Sequence, residues 1–260
     1  MKVYDCFIFN NEVELLELRL NILDPYVDKF IITEGTKTFS GIDKESVYLK
    51  NKKKFSKWKK KIIHNLVDIP ELPDTWAREI YSRNSPMSLD VFEDEDLILT
   101  SDLDEIPNPE VIEARDEWLK DDTHFAFQQR RYVYYINNYE TDRWFGTRAA
   151  TYKYLKNTTI DEIRENTENE DLLTGSIITN GGWHFTFCGG EEMVRTKIQS
   201  FSHTEHNTPA VMNSLKSRIE DNKDPLLRDW YQYYKVEIDD SFPDYIVENQ
   251  DKLTKWIKDD

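Results

Sequence analysis

The sequence predicts an α/β protein whose mainly parallel sheet is flanked by helices. Apolar segments of strand length alternate with amphipathic helical segments over residues 3–119, the order that a parallel sheet requires. No internal repeat or Gly/Ser-rich linker interrupts the 260 residues, and a hydrophobic fraction of 38% can build a large core. We therefore predict one domain over residues 1–260, with a core over about 1–205 and a helical C-terminal extension over about 206–260.

The first half of the chain supplies the elements of the predicted sheet. Residues 3–9 are apolar except for Asp5, a composition that is typical of a buried strand. Leu16, Leu20 and Leu23 then recur at helical spacing, and Pro25 ends that helix. Three further apolar strands are predicted: residues 30–33, 62–67 and 97–100. Three further helices are predicted: residues 76–90 with a break at Pro86, residues 109–119 and residues 191–202.

The net charge of −16 argues against a nucleic-acid-binding protein, because such a protein neutralises phosphates with positive surface. The N-terminus lacks the basic leader and cleavage site of a signal peptide, and no stretch approaches the eighteen apolar residues of a membrane span. We therefore expect no membrane span and a cytoplasmic location. Cys6 and Cys188 lie in apolar contexts and are expected to be buried free thiols.

Two carboxylates, Asp102 and Asp104, follow directly after the predicted strand at residues 97–100. Ligands of parallel sheets bind at the carboxyl ends of strands, so this position favours a functional role. A carboxylate pair at this spacing can share one divalent cation, which in turn neutralises a diphosphate. Mn²⁺ and Mg²⁺ are the expected metals because both suit oxygen ligands and phosphate. The alternative is a solvated loop before the helix that begins at Pro109.

The predicted helix at residues 76–90 carries three further candidates for the site, Arg78, Arg83 and Asn84. The arginines can neutralise phosphates, and the asparagine can hydrogen-bond a base or a sugar. The alternative is a helix face that points to solvent and carries an Arg–Glu pair.

The segment at residues 181–192 combines glycines, aromatic residues and a histidine. Trp183 is a candidate for stacking on a sugar ring, and His184 for binding a metal ion or a phosphate. Alternatively, this histidine is a core residue whose hydrogen bonds are made within the protein. His203, further along the chain, is another candidate metal ligand. Alternatively, it is a cation that stabilises the C-terminal end of a helix.

Two glutamates, Glu191 and Glu192, begin the predicted helix at residues 191–202. One of them is a candidate general base that would remove a proton from an acceptor hydroxyl, with Glu192 preferred. Acidic residues also stabilise the first turn of a helix for electrostatic reasons alone.

Five stretches of the chain together resemble glycosyltransferase family 17, which includes the animal enzyme that adds a bisecting N-acetylglucosamine to N-glycans. They follow one another in the order expected for that family: residues 4–12, 33–41, 78–84, 101–107 and 182–185. No single stretch is diagnostic, but five in sequence are specific. Because the animal members carry an N-terminal membrane anchor, this chain is more similar to a soluble microbial or viral member.

The resemblance implies a GT-A type fold, inversion at the anomeric carbon and transfer to a glycan acceptor. It also implies a nucleotide-sugar donor, which in the animal members is UDP-N-acetylglucosamine. His184 matches the histidine of the family's Gly-Trp-His motif, and Glu192 lies where the family carries an acidic residue after that motif.

The resemblance also assigns residues to the donor site. Asp102 and Asp104 would occupy the metal-binding Asp-x-Asp position, with Asp102 also close to the nucleotide sugar. Phe9, Asn10 and Glu34 would lie at the nucleotide end of the cleft.

Two other functions remain open from the sequence. A phosphatase of the haloacid-dehalogenase type would use Asp102 as nucleophile and Asp104 as acid, and Asp239 and Asp240 could mimic its distal acidic pair. A non-catalytic carbohydrate-binding protein would keep the fold but is expected to lose an acidic metal ligand, and both aspartates are present.

Overall fold

The computed structural model describes residues 1–165 and 170–259. Its strands are β1 (Val3–Phe9), β2 (Lys29–Gly35), β3 (Ile62–Val67), β4 (Leu97–Asp102), β5 (Glu105–Pro107), β6 (Phe125–Val133), β7 (Asn138–Thr151), β8 (Ser176–Thr186) and β9 (Tyr233–Lys235). Its α-helices are α1 (Val13–Leu23), α2 (Val47–Asn51), α3 (Thr75–Asn84), α4 (Pro109–Glu113), α5 (Arg115–Trp118), α6 (Tyr152–Leu155), α7 (Ile160–Arg164), α8 (Glu191–Ser200), α9 (Pro209–Glu220) and α10 (Asp244–Glu248). Short 3₁₀ helices cover Ser56–Trp58, Ser85–Ser88, Glu170–Leu172, Thr204–His206, Gln250–Lys252 and Thr254–Trp256.

The first four strands form the parallel half of a single sheet, in the order β3-β2-β1-β4. β1 lies at the centre of this half and pairs in parallel with both β2 and β4. β1 and β4 are buried along nearly their whole length, which explains why their sequences are mainly apolar. Cys6 in β1 is a buried free thiol, as is Cys188, in agreement with the prediction. The α/β fold class is confirmed, and the carboxyl ends of β1, β2 and β4 lie along one edge.

The second half of the sheet extends it with mainly antiparallel neighbours, in the order β4-β7-β6-β8-β5. In this half, among the described strands, only β6 and β8 run parallel. The sequence did not predict the 14-residue β7, because an exposed charged section at residues 141–143 interrupts its apolar pattern. The apolar pattern of the sequence predicts two short strands here, at residues 124–127 and 132–136, whereas the structure has the single strand β6.

Two of the predicted helices are shorter than expected. The helix predicted at residues 76–90 ends at Asn84 as α3, and Pro86 lies in the 3₁₀ helix that follows. Proline is tolerated there because the first residues of a helix have no partner for their N–H groups. The helix predicted at residues 109–119 is divided at Ala114 into α4 and α5.

The C-terminal segment packs against the rest of the protein and is only partly helical. Val211 and Leu215 of α9 pack against Val194 of α8 in a core cluster of their own. Ile246 of α10 and Trp256 are buried in the main core. Between these helices, β9 pairs with β7, where the sequence predicted helices only. The described part of the chain contains no helix with the length and apolar character needed to cross a membrane.

Candidate active site

A cleft of about 710 Å³ opens where β1, β2 and β4 end. Parallel α/β sheets bind their ligands at such an edge. Among the described residues, six of those lining the cleft are carboxylates: Glu12, Glu79, Asp102, Asp104, Asp161 and Glu165. Seven are lysines or arginines: Lys37, Lys44, Arg83, Arg131, Arg164, Lys197 and Arg228. The cleft is therefore lined by closely mixed charges in spite of the acidic character of the whole chain.

A buried arginine beneath the cleft holds the loop that carries the two predicted metal ligands. Arg19 of α1 and Asp5 of β1 are fully buried and form a bidentate ion pair, with N···O distances of 2.6 and 2.8 Å. The same guanidinium donates, over 2.9 to 3.0 Å, to three backbone carbonyls of the loop: Asp102, Leu103 and Glu105. Since a guanidinium is planar and rigid, these bonds fix the loop relative to β1.

Asp102 faces two arginines. Its Oδ1 lies 3.3 Å from Nη2 of Arg83, and its Oδ2 lies 2.9 Å from Nη2 of Arg164. Arg164 also binds the buried carboxylate of Glu105 at 2.7 Å. Burial raises the pKa of Glu105, but the charge and hydrogen bonds of Arg164 outweigh burial and lower that pKa to about 2. Arg164 lies in α7 and was not among the residues predicted for the site.

Asp104 is paired with a lysine and a histidine. Its Oδ2 lies 2.5 Å from Nζ of Lys197 and 3.4 Å from Nε2 of His184. Burial raises the pKa of Asp104, but these two neighbours outweigh burial and hold the pKa far below its ordinary value. Lys197, in the last turns of α8, also lies 3.4 Å from Oγ1 of Thr186. We name the Asp102–Asp104 segment, with its cationic partners Arg83, Arg164 and Lys197, the acidic edge.

The two aromatic neighbours in the Gly-Trp-His segment lie on opposite sides of β8. His184 lines the cleft, where its ring lies 4.5 Å from the ring of Trp144. The prediction that Trp183 stacks on a sugar is wrong for this structure, because Trp183 is buried in the main core and donates to the carbonyl of Ser241. Successive side chains of a strand point to opposite faces, so only one of two neighbours can face the cleft. Trp144, which the sequence did not identify, is the tryptophan that lines the cleft beside His184.

A glycine permits the close contact between β8 and β5. A Cβ atom on Gly182 would lie 2.1 Å from the carbonyl oxygen of Ile106, and its φ of +136° is one that side chains disfavour. The glycine therefore allows β8 to approach the segment that directly follows Asp104.

Two of the three predicted nucleotide-end residues line the cleft, namely Phe9 and Asn10. Asn10 donates to Oγ of Ser200 at 2.9 Å, and its carbonyl accepts a hydrogen bond from Lys44 at 3.2 Å. Both residues therefore line the cleft, whereas their place at its nucleotide end and their role in binding stay predictions.

Glu34, the third predicted nucleotide-end residue, is fully buried and does not line the cleft. Its carboxylate accepts hydrogen bonds from five groups of the chain: Lys44, Ser46, the backbone N–H of Val47 and of Tyr48, and His64. Burial raises the pKa of Glu34, but the hydrogen bonds from His64, Lys44 and Ser46 outweigh it and lower that pKa to about 2. The structure thus corrects this assignment, because Glu34 anchors the segment at residues 44–48.

Helix α3 presents one face to the cleft, and only one of its three predicted residues is on that face. Arg83 lines the cleft together with Trp76, Glu79 and Ile80, at the spacing of one helix face. Arg78 instead donates to the carbonyl of Phe39 at 3.1 Å. Asn84, whose Oδ1 accepts from the backbone N–H of Asp161 at 3.3 Å, is also outside the cleft. The proposed roles of Arg78 and Asn84 in binding the donor directly are therefore not supported.

Neither predicted base, Glu191 nor Glu192, lines the cleft. Glu191 pairs with Arg195 at 2.7 Å in the first turn of α8, and Glu192 is exposed. Lys197 and Ser200 are the residues of α8 that line the cleft, and Lys197 follows the two glutamates by five or six positions, which corresponds to roughly 8–9 Å along a helix. The glutamates at the start of α8 therefore lie away from the cleft, which its later turns reach.

The four predicted metal ligands do not form one cluster. Among residues 1–165 and 170–259, the only three His, Cys, Asp or Glu residues whose ligand atoms all lie within 4.8 Å of one another are His203, Glu205 and His206. His203 lies at the edge of the cleft, with its ring 4.7 Å from that of Trp76. The predicted set Asp102, Asp104, His184 and His203 is therefore divided between two places.

Part of the acidic edge nevertheless fits a divalent cation. Oδ2 of Asp104 and Nε2 of His184 are 3.4 Å apart, which suits two ligands that are each about 2.1 Å from one metal ion. Nδ1 of His184 is buried without a hydrogen-bond partner in the described structure, whereas Nε2 of the same ring faces the carboxylate of Asp104. Each carboxylate is available to the ion only if its cationic partners give way, namely Lys197 at Asp104 and the two arginines at Asp102.

The structure thus has an α/β sheet with an acidic pair at the end of a central strand. This pair lies in a cleft, among cationic side chains. The chain belongs to glycosyltransferase family 17, whose model matches residues 1–222. The resemblance seen in the sequence is thereby confirmed, and the observed α/β sheet agrees with the fold class that was predicted. The phosphatase alternative loses its support, and Asp239 and Asp240, on which it drew, do not line the cleft.

Solved structures similar to this chain include two of the glycosyltransferase LgtC. One is an active-site mutant of LgtC, with 12% sequence identity, a TM-score of 0.42 and coverage of 97% of this chain and 94% of that chain. The other is the galactosyltransferase LgtC in complex with donor and acceptor sugar analogues, with 12% identity, a TM-score of 0.41 and the same coverage. A search of curated protein sequences found no significant match.

Proposed function

We propose that this protein transfers a sugar from a nucleotide-sugar donor to a hydroxyl group of a glycan acceptor. The observation that carries the proposal is the acidic edge, in which Asp102 and Asp104 meet three cationic side chains at the carboxyl end of β4. Charged side chains that already lie in a cleft can take up a diphosphate by exchanging partners. By resemblance to the family, the donor is UDP-linked N-acetylglucosamine, and transfer proceeds with inversion.

The leaving group of this reaction is a nucleoside diphosphate, whose negative charge grows as the bond to the sugar breaks. Arg83, Arg164 and Lys197 lie where they can stabilise that charge, and Arg83 and Arg164 can each hold two phosphate oxygens at once. Phe9 and Asn10 would contact the nucleoside at the end of β1. The ring of Trp144, beside His184, offers an apolar face to a sugar.

We further propose that Mn²⁺ or Mg²⁺ takes part. Asp104 and His184 would hold the ion, together with Asp102 once it is released from its arginines. When bound, the ion supplies additional positive charge to the diphosphate. His203 is no longer proposed as a ligand at this place, because it lies beside Glu205 and His206.

An inverting transfer also needs a base that accepts the proton of the attacking hydroxyl. Four of the six cleft carboxylates are held in ion pairs with arginine or lysine: Glu79, Asp102, Asp104 and Asp161. Glu12 and Glu165 form no salt bridge within the described residues, so either can accept a proton without losing a cationic partner. These two replace Glu191 and Glu192 as the proposed base.

The test of this function is a thermal-shift screen of nucleotides and nucleotide sugars, each with and without Mn²⁺. A ligand that binds only the native state stabilises it by an amount that grows with its concentration, by about 2.7 kcal/mol at a hundred times its dissociation constant. We expect UDP and a UDP-sugar to raise the melting temperature, more so with Mn²⁺. Equal shifts with all nucleotides, or none, would contradict the proposal. Binding of free sugars without nucleotide or metal would instead support the non-catalytic alternative.

A further inference from the structure

Part of the cleft wall comes from a segment outside the region that the family model matches. The match ends at residue 222, yet Leu226 and Arg228 line the cleft. The family-matched residues thus contain the whole acidic edge, whereas Leu226 and Arg228, within the segment at residues 224–234, add a part of the wall that the match does not include.

This wall is held in one conformation by a buried carboxylate. Asp224 is 1% exposed and accepts hydrogen bonds from the backbone N–H of Leu226 at 2.9 Å, from Nη2 of Arg228 at 2.8 Å and from the hydroxyl of Tyr233 at 3.0 Å. Burial raises the pKa of Asp224, but its bonds to Arg228 outweigh burial and keep the pKa low. A surface fixed in this way before a ligand arrives loses little conformational freedom on binding.

A row of rings and one guanidinium connects this wall with the acidic edge. The Trp230 ring lies 5.8 Å from that of Tyr231, and the guanidinium of Arg131 lies 4.9 Å from the Tyr231 ring and 5.4 Å from the Trp144 ring. Trp144 in turn lies 4.5 Å from His184, the partner of Asp104. The row therefore runs without a gap from Trp230 at the surface to the acidic edge.

Trp230 is the most exposed of the large hydrophobic residues in the described chain, at 73%. A solvated tryptophan ring offers a flat apolar face, which suits the C–H face of a sugar ring. The two arginines nearby are already neutralised, since Arg131 pairs with Glu140 and Arg228 pairs with Asp224. This surface therefore favours an uncharged ligand, unlike the acidic edge with its diphosphate chemistry.

We propose that residues 224–234 form the acceptor subsite, in which Trp230 stacks on an uncharged saccharide ring of the acceptor glycan. This inference rests on the proposed function, because it names the second substrate of the same cleft. It also divides the cleft into a donor part within the family match and an acceptor part outside it.

The test compares the variant Trp230→Ala with Tyr81→Ala, which removes an aromatic ring of α3 that is 43% exposed and is not part of the row that connects Trp230 with the acidic edge. Binding of lactose, cellobiose and N,N′-diacetylchitobiose is measured by saturation-transfer NMR in the presence of UDP and Mn²⁺. We expect at least one disaccharide to bind the wild type and Tyr81→Ala, and to bind Trp230→Ala about tenfold more weakly. Melting temperatures without ligand should agree among all three proteins, since both side chains are exposed.

Binding of the donor is measured separately on the same proteins, by the thermal shift with UDP-sugar and Mn²⁺. If the wild type shows no donor shift, the proposed function fails. If the donor shift is intact but no disaccharide binds, or all bind Trp230→Ala as well as the wild type, only the acceptor subsite is wrong. Sedimentation that shows a wild-type dimer and a Trp230→Ala monomer would instead assign this surface to a second copy of the chain and overturn the inference.

Discussion

Substitution of Arg19 by methionine tests whether the buried guanidinium organises the acidic edge. Methionine keeps much of the length and the apolar stem of arginine but removes every donor. The ion pair with Asp5 is lost, as are the hydrogen bonds to Ser101 and to the backbone carbonyls of Asp102, Leu103 and Glu105. Arg19 does not line the cleft, so any effect on activity must pass through the position of the loop.

The expected loss follows from the burial of both partners, each of which is 0% exposed. Removal of one member of a buried pair leaves the other charge uncompensated, which costs about 3–5 kcal/mol. A typical domain has only about 5–15 kcal/mol of stability, so Arg19→Met should fold but unfold far more easily. Because 1 kcal/mol lowers the melting temperature of a protein of this size by about 2–4 °C, we expect a drop of roughly 6–20 °C.

Urea denaturation followed by tryptophan fluorescence measures this loss. The matched control is Arg143→Met, which removes an exposed pair with Glu170 and should cost less than about 1 kcal/mol. In the double variant Asp5→Asn/Arg19→Met, no buried charge remains unpaired, so it should be more stable than the sum of the single changes predicts. Strictly additive losses of stability in the double variant, or a loss below about 1 kcal/mol for Arg19→Met, would refute the idea that Arg19 holds the acidic edge in place.

The remaining predictions concern the pH dependence of stability and the identity of the catalytic base. The pKa of Glu34 is lowered from 4.5 to about 2, so its stabilisation, on the order of 3 kcal/mol, is present above pH 4.5 and is lost as the pH falls towards 2. Glu34→Gln should flatten the acid side of the stability curve measured by denaturation, and an unchanged slope would contradict this. Glu192→Gln should keep its turnover in an assay of sugar transfer, whereas Glu12→Gln or Glu165→Gln should lose it about 10²–10⁴-fold with donor binding intact. Loss with Glu192→Gln alone would restore the original assignment.

The sequence predicted where the site lies because strand ends and motif order are local properties. A strand that ends in Asp102 and Asp104 places them at the sheet edge whatever the rest of the fold does. The matching stretches identified the family for the same reason, and the family match over residues 1–222 agrees with them.

The directions of individual side chains could not be predicted, because they depend on register and on helix length. Trp183 and His184 are neighbours in sequence, and only the pairing of β8 with β6 and β5 decides which of them faces the cleft. In the same way, the length of α8 brings Lys197 to Asp104 and leaves Glu192 away from the cleft.

The sequence indicates the buried ion pair of Asp5 and Arg19, but this pair was not predicted. Asp5 lies within an apolar strand and Arg19 within an apolar helix, and a charge in a buried segment needs a partner. Pairing such isolated charges is a usable rule. Arg164 carries no comparable signal, since its segment is acidic and its position depends on tertiary packing.

The central claim is that the acidic edge binds the diphosphate of a nucleotide-sugar donor. A crystal structure of the protein grown with UDP and Mn²⁺ tests it most directly. We expect the diphosphate in direct contact with Arg83, Arg164 or Lys197, the uridine towards Phe9 and Asn10, and the ion on Asp104. A nucleotide bound elsewhere, with the ion pairs of Asp102 and Asp104 unchanged, would contradict the account.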